Sequence, residues 1–269
     1  MQSGYLSFRE STIHYIKHGS GKKTLICFHG YGESASNFNF LSDRLGNEFL
    51  LIALDLPFHG ETKWVNGSFD EKMLATIINE ILLKENLDAK GIHLLGFSLG
   101  GRLALSLFEE MPQHVERLVL LAPDGLKLNF WYWLSTQTWL GNKCFKSTMS
   151  SPGWFFGMLK VGNRLQLINR SIYKFVEYYI HDAEVRQELY HRWTTMRRCK
   201  PSLSKIRKQI KENNVSVRLL YGNHDRIILA SPALRFIQDL KNANIAMLDC
   251  GHQVLHPKNA DHIIDALIN

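Results

Sequence analysis

The sequence predicts an α/β fold: a mostly parallel, eight-stranded sheet with flanking helices, interrupted by an inserted helical subdomain. Three observations carry that prediction. Near-continuous apolar runs such as "KTLICFHG", "FLLIALDLP" and "VERLVLLAP" have the length and composition of strands covered on both faces. Segments with helical spacing fall between them, the rhythm of parallel strands joined by crossover helices. Finally, charge and aromatic content change at residues 126–211, which hold about 16 Lys or Arg against about 4 Asp or Glu, while the flanks are mildly acidic. The expected organisation is therefore one core, 1–125 with 212–269, and an insertion over 126–211.

The elements follow in chain order. "YLSFRE" and "TIHYIKHG" alternate in the manner of an antiparallel hairpin at a sheet edge. The runs at 23–30 and 49–57 are buried strands, and "DEKMLATIINEILLKEN" (70–86) is a helix with Asp70 as its cap. "GIHLLGF" (91–97) is a strand leading directly into the helical spacing of Arg102 to Phe108, and "VERLVLLAP" is the next strand. Beyond the insertion, "VSVRLLYGNHD" and "ANIAMLDCG" are strands. "SPALRFIQDL", begun by Ser231 and Pro232, and "NADHIIDALI" are helices. Within the insertion, "LINRSIYKFVEYYI" and "AEVRQELYHRWTTMRR" have helical spacing with no good strand between them. Placed between two strands of a parallel sheet, such a segment is expected to act as a lid over the carboxyl edge, where open sheets bind ligands.

Composition excludes several classes. With 269 residues and 45% hydrophobic content, the chain suits a well-packed globular protein. It shows no signal-peptide pattern and no run of about 18 apolar residues, so a membrane span is not expected and a cytoplasmic location is. Cys27, Cys144, Cys199 and Cys250 are scattered, without the pairing of a zinc site or a disulfide framework, and are expected to be reduced, mostly buried thiols. No metal is expected. There is no H-E-x-x-H helix and no phosphate-cradling loop. The net charge of +7 comes without a nucleic-acid-binding motif, so nucleic acid is not expected as a partner.

The chemistry begins at "GFSLGG". Gly96, Ser98 and Gly100 satisfy G-x-S-x-G on a strand–turn–helix junction. A sharp turn there presents the Ser98 hydroxyl above the sheet as a nucleophile; the competing reading is that Ser98 only caps the following helix. A serine nucleophile needs a base. Of twelve histidines, His252 follows the last strand in "LDCGHQVLHP" and projects from the same edge as Ser98, with His256 as the competitor. The base needs an acid. Asp225 ends the strand in "LLYGNHD", giving the order serine, aspartate, histidine, and Asp124 in "LLAPDGL" is the alternative. "GYGESA" also matches G-x-G-x-x-A, with Asp55 placed as a dinucleotide-binding acid would be. That reading leaves Ser98, Asp225 and His252 unexplained.

On these residues the sequence resembles the α/β-hydrolase superfamily, in its lid-bearing serine hydrolase branch. "FHGYGES" is similar to that family's HG-x-G oxyanion loop, and "DLPFHGET" to its D-x-P-G-H-G segment, with Phe58 in place of the usual glycine. The match spans both flanks, about two thirds of the chain; the insertion matches only in position. The resemblance implies the α/β-hydrolase fold, an oxyanion hole formed by the backbone N–H groups of Tyr31 and Leu99, and loop-orienting roles for His29 and His59. One departure is the short "GHQVLHPKN", where the family often has a longer stretch and an acidic residue before the proline.

Together the residues and the resemblance predict a cofactor-free, carboxylesterase-like hydrolase acting on a small-molecule ester or thioester through an acyl-enzyme. A carbon–carbon bond hydrolase or lyase on the same scaffold and a non-catalytic receptor are the alternatives. Lid aromatics either line an acyl pocket, with Trp131 and Trp133 the leading candidates, or form the lid's own core. The lid's basic surplus is either a solvated surface or a contact for anionic substrates, an acidic carrier or a membrane surface. The sequence assigns no oligomeric state.

Overall fold

A computed structural model of the chain describes residues 1–65, 67–127, 129–164 and 180–269. They divide into two compact units, Met1–Lys127 with Arg198–Asn269, and Leu128–Arg197.

The first unit is built on one eight-stranded sheet: β1 (Gln2–Phe8), β2 (Ser11–His18), β3 (Lys23–Phe28), β4 (Phe49–Leu54), β5 (Ile92–Phe97), β6 (Val115–Leu121), β7 (Ser216–Gly222) and β8 (Ala243–Leu248), in the spatial order β1-β2-β4-β3-β5-β6-β7-β8. The hairpin β1–β2 is antiparallel, β2 meets β4 antiparallel, and every later pairing is parallel. Each residue of β5 is buried, as is β3 beyond its first residue, because helices cover both faces of these central strands. Pairings Phe28↔Gly96, Phe97↔Leu121 and Gly222↔Leu248 align the carboxyl ends of β3, β5, β6, β7 and β8. Any polar residue in the first few positions after these strands therefore arrives at one edge.

Local chemistry sets the helices. In α2 (Glu71–Lys84) the Asp70 carboxylate accepts the Met73 N–H at 2.9 Å, and Leu74, Ile77, Ile78, Ile81 and Leu82 form one buried stripe. Burying each such side chain is worth about 1.5–3 kcal/mol. Following α1 (Asn39–Leu45) and α2, α3 (Leu99–Glu110) is buried from Leu99 through Phe108, apolar almost all round as a helix inside a core must be. After the insertion come α8 (Leu203–Glu212), α9 (Ser231–Ile237) and α10 (Ala260–Ile268).

The structural boundary differs from the compositional one at 211. Helix α8 belongs to the first unit: Ile206 and Ile210 are buried, the Ser202 N–H donates to Glu109 at 2.7 Å, and the Gln209 amide donates to the Glu109 carbonyl at 3.0 Å. Its lysines and arginine lie on the outer face, so composition reported the helix's solvent side and not the core it joins.

The second unit contains α4 (Phe130–Gln137), α5 (Trp139–Ser150), α6 (Gly153–Arg164) and α7 (Ala183–Thr195). Asn129, Thr138 and Asp182 cap α4, α5 and α7 through their side chains. Tyr132, Phe145, Tyr190 and Trp193 pack ring against ring at 5.2–5.7 Å, joining α4, α5 and α7. Apart from Ile180, the helix expected over "LINRSIYKFVEYYI" lies outside the described residues. Among the described residues, no helix is long and apolar enough to cross a membrane. Burial pushes the Cys27 and Cys199 thiols well up; Cys250 is half-buried and Cys144 is exposed, so fewer thiols are buried than expected.

Candidate active site

Ser98 occupies the turn between β5 and α3 with φ 50° and ψ −114°, a left-handed region that costs a residue bearing a Cβ about 1–3 kcal/mol. The neighbouring backbone holds it there. The Ser98 N–H donates to the Leu121 carbonyl at 2.9 Å, and the Ser98 carbonyl accepts from the Asp124 N–H at 2.8 Å and the Gly101 N–H at 2.9 Å. Two of the glycines act through close approach: a Cβ on Gly96 would lie 2.5 Å from the Gly100 carbonyl oxygen, and one on Gly100 would lie 1.9 Å from that of Phe28. The sequence left open whether Ser98 caps α3. Its side chain makes no capping hydrogen bond. Its Oγ instead lies 3.0 Å from His252 Nε2.

His252 stands in the loop after β8, its ring 5.4 Å from that of Phe97, and its Nδ1 is 2.8 Å from Asp225 Oδ2. Asp225 follows β7, and its side chain is 1% exposed against 19% for that of His252. Its other oxygen, Oδ1, accepts the N–H groups of Ile227 and Ile228 at 2.7 and 3.0 Å. A carboxylate with both oxygens engaged keeps one orientation, and its contact with Nδ1 favours the tautomer that leaves Nε2 as an acceptor.

The competing residues are placed elsewhere. Asp124 caps its own turn through the Gly125 N–H at 2.8 Å, and its other oxygen faces buried Arg102 at 3.5 Å. His256 Nδ1 accepts the Lys258 N–H at the start of a short 3-10 turn. Asp55 is buried, accepting the Ala35 N–H, the Glu61 N–H and a 2.7 Å contact from His14 Nδ1, so its oxygens are turned inward.

Tyr31 lies in the loop after β3, its ring edge-on to His59 at 5.9 Å. Leu99 is the first residue of α3, and the first N–H groups of any helix lack intrahelical acceptors and lie at its positive end. Buried His29 ties adjacent strand ends together: its Nε2 accepts the Leu56 N–H at 3.1 Å and its Nδ1 lies 2.7 Å from the Gly30 carbonyl. His59 Nδ1 lies 2.9 Å from the Pro57 carbonyl. Trp131 and Trp133 sit on α4 of the second unit, 69% and 39% exposed.

Sequence reasoning missed Glu33. Its Oε2 accepts the Gly30 N–H at 2.9 Å and its Oε1 accepts from the Gln253 amide at 2.6 Å, linking the loop of Tyr31 to that of His252. The only signal was an acidic residue directly after "HGYG".

A family model described as alpha/beta hydrolase fold matches residues 23–259. "Uncharacterized hydrolase YugF" of Bacillus subtilis (strain 168) is 28% identical over 260 residues, 93% of each chain. "2-hydroxy-6-oxononadienedioate/2-hydroxy-6-oxononatrienedioate hydrolase 1" of Pseudomonas putida is 24% identical over 89% of this chain and 85% of its own. In three dimensions, a thermophilic esterase from Thermogutta terrifontis superposes with a TM-score of 0.71 at 15% identity, over 99% of this chain and 98% of that one. With the sheet order and a family match over most of its length, the chain belongs to the alpha/beta hydrolase fold family.

Proposed function

We propose that the chain is a serine hydrolase that cleaves a carboxylic ester or thioester of a small or acyl-chain apolar substrate. The observation that carries this reading is the unbroken relay from Asp225 through His252 to Ser98, at 2.8 and 3.0 Å. His252 Nε2 takes the Ser98 proton as Oγ attacks the substrate carbonyl carbon. The oxyanion that forms is stabilised by the N–H groups of Tyr31 and Leu99, at about 3 kcal/mol for each well-aimed donor. His252 then protonates the leaving alcohol or thiol, and an acyl-enzyme remains on Ser98. A water, deprotonated by His252, releases the acid. Throughout, Asp225 fixes the imidazole and stabilises its charged form. Serine as nucleophile disfavours reactions that need an alkyl-enzyme on a carboxylate.

In this reading the insertion is the lid that selects the substrate, with Trp131 and Trp133 as candidate pocket residues. The scattered thiols fit a reducing compartment such as the cytoplasm. A carbon–carbon bond hydrolase is the second reading, favoured by the 24% identical relative named for 2-hydroxy-6-oxo dioates. A panel of nitrophenyl esters and acyl thioesters of graded chain length, run beside diketones and Ser98→Ala, separates the two. Ester or thioester turnover that vanishes in Ser98→Ala supports the proposal; turnover of diketones alone replaces it with the second reading.

A further inference from the structure

Helix α6 has two apolar faces. On one side Leu159 is buried and Phe155 and Phe156 are half-buried, with the Phe156 ring 6.2 Å from that of His181. On the other, Trp154, Met158 and Val161 recur at i, i+4 and i+7, a stripe whose members are 50%, 55% and 59% exposed. Lys160 and Arg164, both exposed, follow one border of that stripe. The preceding helix also exposes apolar side chains, Trp139 and Leu140, at its start. Helix α5 opens with Trp139, 71% exposed, and the Lys143 ammonium sits 3.9 Å above its ring. Among the described residues this apolar stripe is exposed, as interaction surfaces are.

The charge around it narrows the partner. Neither helix carries an acidic residue, while Lys143, Lys146, Lys160 and Arg164 lie on them; the exposed Asp182 and Glu184 follow His181, which meets α6 at Phe156, on the face opposite the stripe. We infer that α5 and α6 form a docking surface for the anionic headgroups of a lipid bilayer, with Trp139, Trp154, Met158 and Val161 entering the interface and the four cations pairing with phosphates. Each helix has 12 residues, too few to span a bilayer and enough to lie in its plane. Tryptophan prefers the headgroup level, where its apolar ring and polar N–H are both accommodated. A second copy of the chain would set the same cations against one another. An acidic protein would neutralise the cations and leave the apolar stripe to be matched separately. A bilayer answers both demands at once.

The test is sedimentation of the full chain with vesicles of phosphatidylcholine containing about one third phosphatidylglycerol, beside vesicles of phosphatidylcholine alone. The expected result is binding to the anionic vesicles that falls at least about tenfold on neutral vesicles or at high salt, with a blue shift of tryptophan emission. Lys160→Gln with Arg164→Gln, and separately Trp154→Ser with Met158→Ser, each lower binding about tenfold or more while thermal melts stay close to wild type. Four results overturn the inference: no binding by the folded protein, equal binding to neutral vesicles, undiminished binding by both folded variants, or retention by an acidic protein or a second copy and not by vesicles. These readouts do not involve Ser98, so they stand or fall separately from the proposed hydrolysis.

Discussion

The Glu33 carboxylate accepts a hydrogen bond from the Gln253 side-chain amide at 2.6 Å, and through its other oxygen holds the Gly30 N–H at 2.9 Å. These two residues, 220 positions apart, connect the loop that carries Tyr31 to the loop that carries His252. Glu33→Ala frees both loops without touching Ser98. Its expected effect is a fall of about ten- to a hundredfold in kcat with a smaller change in KM, because alignment of the reacting groups is lost more than binding. Steady-state kinetics on a nitrophenyl ester provide the check, and an unchanged kcat contradicts a positioning role.

Asp225 and Asp124 are separated by a pair of substitutions. Asp225→Asn keeps the shape of the side chain but presents His252 with a neutral partner that favours the wrong tautomer, and loss of about four orders of magnitude in kcat is expected. Asp124→Asn leaves the His252 contacts in place and is expected to keep activity within about tenfold of wild type. Equal losses in the two variants would remove the distinction drawn between the two carboxylates.

His93, in the all-buried strand β5, has its pKa lowered to about 4 by burial first, with the nearby charges of Arg117 and Lys23 adding to the shift. Glu116, 3.9 Å from its Nε2, does not offset this. Unfolded, the ring takes up a proton near pH 6.5; folded, it stays neutral until about pH 4. Stability linked to this group is therefore intact above pH 6.5 and declines as pH falls toward 4, by up to about 3 kcal/mol. His93→Leu cannot take up the proton, so urea titrations should show a shallower loss of stability for it than for wild type between these pH values. Parallel profiles would refute the linkage.

Much of this fold can be read from the chain because its signals are local. The Asp70 cap and the stripe from Leu74 to Leu82 lie within one helix, and each central strand is a continuous apolar run. The elbow is local too: Gly96, Ser98 and Gly100 fall within five residues. Asp225 and His252 could be placed because parallel strands deliver their first following residues to one edge. What was not legible depends on partners distant in sequence. Glu33 with Gln253, and His14 with Asp55, are pairings that no spacing rule anticipates. Composition assigns helix α8 to the insertion because its cations outweigh Ile206 and Ile210, although these two buried residues pack it against the first unit. Phe58, where the resembled segment has glycine, adopts φ 62°, a conformation that glycine takes up more readily than a residue bearing a Cβ.

Gly100 tests the elbow's packing directly. Gly100→Ala would put a methyl group 1.9 Å from the Phe28 carbonyl oxygen, where the nearest atoms are all backbone of Phe28 and His29 and no flexible side chain can yield. Destabilisation of about 2–3 kcal/mol or more is expected from urea unfolding, together with reduced activity as α3 moves away from β3. Wild-type stability in the variant would mean that the close approach is not required.

In the proposed hydrolase Ser98 is a nucleophile activated by His252. A fluorophosphonate probe followed by peptide mass spectrometry measures this without knowledge of the substrate. Wild type is expected to be labelled stoichiometrically at Ser98, Ser98→Ala not at all, and His252→Ala more slowly by orders of magnitude. Folded wild-type protein that fails to react, or that reacts at another residue, would contradict it.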